Sequence, residues 1–156
     1  MTQGLVHIHN FLRWIVLILL VIAVFKHLMG MVNRKSFTNG DRKLGSFLMI
    51  STHIQFLVGL FLYFAGDLGL KLIQNSGMGV VMKDSVARYW AVEHLVGMLI
   101  AIVLITIGKG VAKKNISDKL KHTRSFWYYF IALIIILVLI PWPFREGIAR
   151  PLFPGM

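Results

Sequence analysis

Four apolar stretches, with cores at Leu12–Phe25, Phe47–Ala65, Trp90–Gly108 and Phe126–Ile140, occupy most of this 156-residue chain. With its flanks, each approaches the ~20 residues that cross about 30 Å of hydrocarbon at ~1.5 Å per residue. The expected fold is therefore an all-α integral membrane protein, a single four-transmembrane-helix bundle. Its spans are expected near 8–29, 45–66, 88–109 and 124–141, with an outer interfacial loop at 67–87. Composition agrees: 57% of residues are hydrophobic and only 15% charged, with a mean hydropathy of +0.74. That is too apolar for a soluble domain of this size.

A formal net charge of +11 would point to nucleic acid in a soluble protein, but here the basic residues follow the loops. Of the 17 Lys and Arg, Lys26, Arg34, Lys35, Arg42 and Lys43 surround the first loop. Lys109, Lys113, Lys114, Lys119, Lys121 and Arg124 surround the third. Lys71, Lys83, Arg88, Arg145 and Arg150 fall on the opposite side, and Arg13 lies within the first span. By the positive-inside rule the two basic loops are cytoplasmic and both termini are outside, as in a multi-pass protein of the bacterial inner membrane. The lipid bilayer is the expected partner and nucleic acid is not. Met1–Asn10 has no basic residue and no small-residue cleavage site follows the apolar run, so the first helix is expected to be retained.

The absence of cysteine removes disulfides, thiolate metal sites, iron–sulfur clusters and covalent haem attachment together. Any metal must be held by His, Glu, Met or Tyr. Trp14, Trp90, Trp127 and Trp142 sit near helix ends as interface anchors, and Pro141 and Pro143 end the fourth helix before a short tail, Arg145–Met156. In the outer loop, a short interfacial helix followed by a turn at Gly77 and Gly79 could be an ordinary loop dipping into the headgroups or a lid over a site.

Ionisable groups in the spans are the best pointers to function, because they are costly in hydrocarbon and face the bundle interior. Arg13 and Glu93 each lie about 8 Å above the midplane by helical rise, so they are expected to pair. With His9, four residues before Arg13 on the same face, and with His94, they define an outer cluster. The alternative is a buried salt bridge that fixes packing, with the histidines merely wetted. His53 is the deepest histidine, about 4 Å from the midplane, and Gln55 lies about 200° round the helix from its site. His27 and His122 flank the basic loops and are expected to be solvated.

Paired imidazoles on facing helices hold b-type haem without cysteine. His9 and His94 are the best match in depth, differing by roughly 7 Å before tilt, whereas His53 and His94 differ by about 10 Å. Gly97 and Gly59 offer small surfaces for a macrocycle, although small residues in membrane helices also serve close packing.

His9-x-x-Leu12-Arg13-Trp14, Thr52-His53-x-Gln55 with Gly59 and Tyr63-Phe64, Glu93-His94 with Thr106-x-Gly108, and Pro141-Trp142-Pro143-Phe144-Arg145 resemble a family of small four-helix bacterial membrane proteins labelled cytochrome b-like. The resemblance covers nearly the whole chain and implies haem ligation by residues among His9, His53 and His94. Compared with better-defined two-haem b-type cytochromes of bacterial membranes, the expected fourth span lacks a histidine, which counts against two haems.

The expected activity is electron transfer through haem b with a quinol or a redox-complex partner. His9 and His94 are the iron ligands in that reading, Arg13 offsets a propionate, and Glu93 relays a proton or orients a ligand. The alternatives are a non-catalytic accessory subunit of a larger complex or a homo-oligomer, and a haem-free metal site of His9, Glu93 and His94.

Overall fold

The computed structural model describes residues 2–153. Four long helices form its body: α1 (Thr2–Val32), α2 (Asn39–Ala65), α6 (His94–Gly110) and α7 (Asp118–Leu139). Three short helices, α3 (Leu70–Ser76), α4 (Met78–Lys83) and α5 (Ser85–Arg88), lie between α2 and α6. A π-helical turn, Tyr89–Glu93, leads directly into α6, and a 3-10 turn, Val111–Lys113, follows it. No strand occurs among the described residues. Four helical stretches, Gln3–Val32, Asn39–Ser76, Ser85–Lys113 and Asp118–Leu139, are long and apolar enough to cross a membrane.

Around the bundle each long helix packs on two neighbours: α1 on α2 and α7, and α6 on α7 and α2. The chain therefore runs up and down a square, with α1 diagonally opposite α6. The short links between α1 and α2 and between α6 and α7 share one end, called here the loop end. The short helices and residues 141–153 share the other, the tail end.

Local chemistry sets the helix limits. Thr38 and Asp41 form a reciprocal capping box at the start of α2, and the Ser117 hydroxyl accepts from the Leu120 N–H at the start of α7. These polar first turns carry α2 and α7 about six residues further back than the apolar runs at 45–66 and 124–141 indicate. Consequently His122 lies within α7, and the expectation of a histidine-free fourth helix is corrected.

At the far end of α7, Pro141 and Pro143 lack the N–H groups that would serve the Leu137 and Leu139 carbonyls in a continued helix. Side chains serve them instead. Trp142 Nε1 donates to Leu137 O at 2.8 Å and Tyr89 Oη to Leu139 O at 2.6 Å, while Arg145 Nη1 donates to Val138 O at 2.8 Å.

Between α2 and α6, three short helices stand where one was expected, and the first, α3, ends at Gly77, whose φ of +81° is left-handed. Gly79 instead lies within α4 and makes no turn. Of the tail expected over Arg145–Met156, residues 154–156 lie outside the described residues.

The core runs down the bundle axis through Val16, Leu20, Leu48, Ala101, Ile105, Ala132 and Ile136. Tyr129 is buried between two glycines: a Cβ at Gly45 would lie 2.9 Å from its hydroxyl, and one at Gly108 2.7 Å from its ring. Outward faces are apolar as well. Phe25, Phe47, Leu57, Phe61, Val103 and Val138 are all exposed, the arrangement expected of helices that contact lipid rather than water.

Candidate functional site

At the tail end the diagonal helices α1 and α6 bring His9 and His94 together, ring centroids 6.5 Å apart and planes inclined at 64°. Both line a cavity of about 480 Å³, with Asn10, Arg13, Gln55, Gly59, Tyr63, Trp90 and Arg150 among its other walls. Ile102, Met98 and Ile136 close its deeper end. A volume in this range suits a small-molecule or cofactor site, as does an apolar lining with a few convergent polar groups.

The two histidines are held differently. His94 Nδ1 donates to Leu139 O at 3.0 Å, which leaves Nε2 as the lone-pair nitrogen. That carbonyl is available because α7 stops at the prolines. The π turn just before His94 adds a residue to the helix and seats Tyr89 on the same carbonyl. On α1, Gln55 Nε2 donates to the His9 carbonyl at 3.0 Å. Gly59 makes room for the His9 ring, since a Cβ there would sit 2.9 Å from Cε1.

Three polar atoms on this wall are buried without a hydrogen-bond partner: His9 Nδ1, Arg13 Nε and Gln55 Oε1. Buried polar atoms are nearly always satisfied, so three orphans among the residues of one wall are unusual.

Other expected site residues lie elsewhere. Arg13 and Glu93 do not meet. Arg13 Nη2 donates to Leu152 O at 2.8 Å, and Trp14 Nε1 donates to the same carbonyl at 2.8 Å, so the pair anchors the tail. Glu93 is exposed and pairs with Arg88 Nε at 2.6 Å. It stands one residue before His94, about 100° round the helix, and lies outside the cavity lining, so the haem-free site of His9, Glu93 and His94 is corrected to two histidines.

Gly97 does not line the cavity. It receives Leu139 and Ile135 of α7, and a Cβ would collide with Leu139. His53 lies on the exposed face of α2, where Nδ1 donates to Met49 O at 2.7 Å. Gln55, about 200° away, is the residue that faces inward.

His27 and His122 are buried rather than solvated, and their Nδ1 atoms are 3.0 Å apart. Both rings pack on Phe37, with centroids 5.7 and 5.1 Å away, and Tyr129 lies 5.5 Å from His27. Their depth could have been read from one signal, Gly30. It faces His122 from α1 so closely that a Cβ would overlap the ring.

The donor sets can be tested against haem. His9 and His94 would offer it two imidazoles beside an open cavity, with Arg13 and Arg150 on the walls for anionic substituents. His27 and His122 do not fit a macrocycle, because Phe37, Tyr129 and Ser125 fill the space around them. Compared with known proteins, the chain matches no family model, no curated relative and no solved structure.

Proposed function

We propose that this chain is a multi-pass protein of the bacterial inner membrane that holds haem b between His9 and His94 and passes electrons between a quinol and a redox-complex partner. One observation carries the reading: two imidazoles on diagonal helices converge on one 480 Å³ cavity. Bound there, haem would supply one-electron chemistry at a potential set by its ligands and surroundings.

The chain's own residues do the rest. Leu139 O fixes the tautomer and plane of His94 through Nδ1–H, an outer contact of the kind that orients metal-bound histidines. Arg13, tethered through Nη2, lines the cavity. With Arg150 it compensates negative charge there. Trp14, stacked on Phe153 at 5.4 Å, helps the tail keep water from that end.

The visible spectrum of the protein purified with haem available, oxidised and dithionite-reduced, tests the reading. The expected result is a pair of reduced b-type bands that His94→Ala abolishes while the protein stays inserted. A wild type without bands transfers the reading to an accessory subunit. The concentration of basic residues at the loop end supports a topology with both termini outside, and a reporter fused after Met156 should accordingly behave as exported.

A further inference from the structure

We propose that His27, Asp41 and His122 form a second site, for a divalent transition-metal ion of the zinc type, that clamps α1, α2 and α7 together at the loop end. Each residue offers one ligand atom, and these lie within 4.8 Å of one another. All three are buried, at 1%, 3% and 2% exposure. The site stands independently of the haem reading, since it shares no residue with the tail-end cavity.

The two imidazoles already stand almost where a metal would hold them. Tetrahedral ligands with bonds of 2.0–2.1 Å are separated by roughly 3.3 Å, and the two Nδ1 atoms are 3.0 Å apart. His122 Nε2 faces Ser36 O at 3.4 Å, which favours the tautomer that leaves Nδ1 as a lone pair. Only one hydrogen can lie between the two Nδ1 atoms, so a cation there replaces a single imidazole–imidazole bond.

Asp41 is oriented by its capping role. Oδ2 accepts from Thr38 N and Oγ1, each at 2.7 Å, while Oδ1 makes no hydrogen bond and faces the Lys26 ammonium at 3.2 Å. That ammonium occupies the place of the cation's charge. Lys26 is 42% exposed, so it can swing into solvent when an ion arrives.

Two imidazoles and a carboxylate, without thiolate, suit zinc or a neighbouring first-row ion and leave one coordination position open. Phe37 and Tyr129 wall the cluster, which limits competition from water. Gly30 keeps the space that lets the His122 ring reach α1.

Cobalt(II) titration of the full chain in detergent tests the site, with zinc as the displacing ion. One equivalent should give the visible bands of four-coordinate cobalt, and zinc should remove them. His122→Gln and Asp41→Asn, checked for helicity and monodispersity, should each weaken binding at least about 100-fold, whereas His9→Ala should leave it unchanged. Lys26→Gln should tighten binding roughly tenfold by removing the competing charge. Zinc should also raise the melting temperature of the wild type and not that of His122→Gln. Absence of cobalt bands in the wild type would overturn the proposal, as would wild-type affinity in both ligand variants. Should those variants fail to fold, an unchanged affinity in Lys26→Gln overturns it alone.

Discussion

The bundle contains two histidine pairs, and they differ in nearly every respect except residue type. At the tail end His9 and His94 meet across the diagonal, 6.5 Å apart, beside a large cavity with unsatisfied polar atoms. At the loop end His27 and His122 belong to neighbouring helices, 5.2 Å apart, and aromatic rings, a carboxylate and a glycine close around them. Neighbouring helices in a square bundle approach closely enough for two imidazoles to touch. Diagonal helices leave the axis between them, and that space stays open unless large side chains fill it. The same residue type therefore suits a planar cofactor in one place and a small ion in the other.

The largest effect that separates the two ends is on haem. His9→Ala should remove the reduced bands as His94→Ala does, whereas His27→Ala, His122→Gln and His53→Ala should retain them. Loss of bands in His122→Gln with His9→Ala unaffected would reverse the roles of the two ends.

Next in size is the response to a methyl group. Gly30→Ala drives a Cβ into the His122 ring, which Phe37 and His27 hold in place. It should cost about 2–3 kcal/mol, read as a lowered melting temperature in detergent. Gly59→Ala meets the His9 ring, which can retreat into the cavity, and alanine gains about 1 kcal/mol of helix propensity over glycine. It should fall within about 1 kcal/mol of the wild type. Equal costs at the two glycines would mean that the tail end is as tightly packed as the loop end.

The smallest expected effect is a null coupling. Arg13→Met should destabilise by about 1–3 kcal/mol, because it abandons the tail carbonyls. Glu93→Gln removes only an exposed pair with Arg88, worth about 0–1 kcal/mol. The double variant should be additive within about 0.5 kcal/mol, since the two share no partner. A larger coupling would restore the ion pair that the spacing along the two helices suggests.

Much of this molecule is determined by the sequence alone. Four helices long and apolar enough to cross a membrane follow from run length and the end of α7 from Pro141 and Pro143, whereas the Thr38–Asp41 box starts α2 about six residues before its apolar run. The meeting of His9 with His94 was legible from depth, since both stand near the same end of their helices. Depth does not fix rotation about the helix axis, and tertiary packing decided the rest. It turned His53 outward and Gln55 inward, gave Gly97 to Leu139, and paired Glu93 with Arg88. It also joined Arg13 to a carbonyl 139 positions away and buried His27 against His122 across 95 positions. Contacts that distant are set by which helices stand side by side and which stand across the diagonal, and no periodicity within one helix encodes that choice.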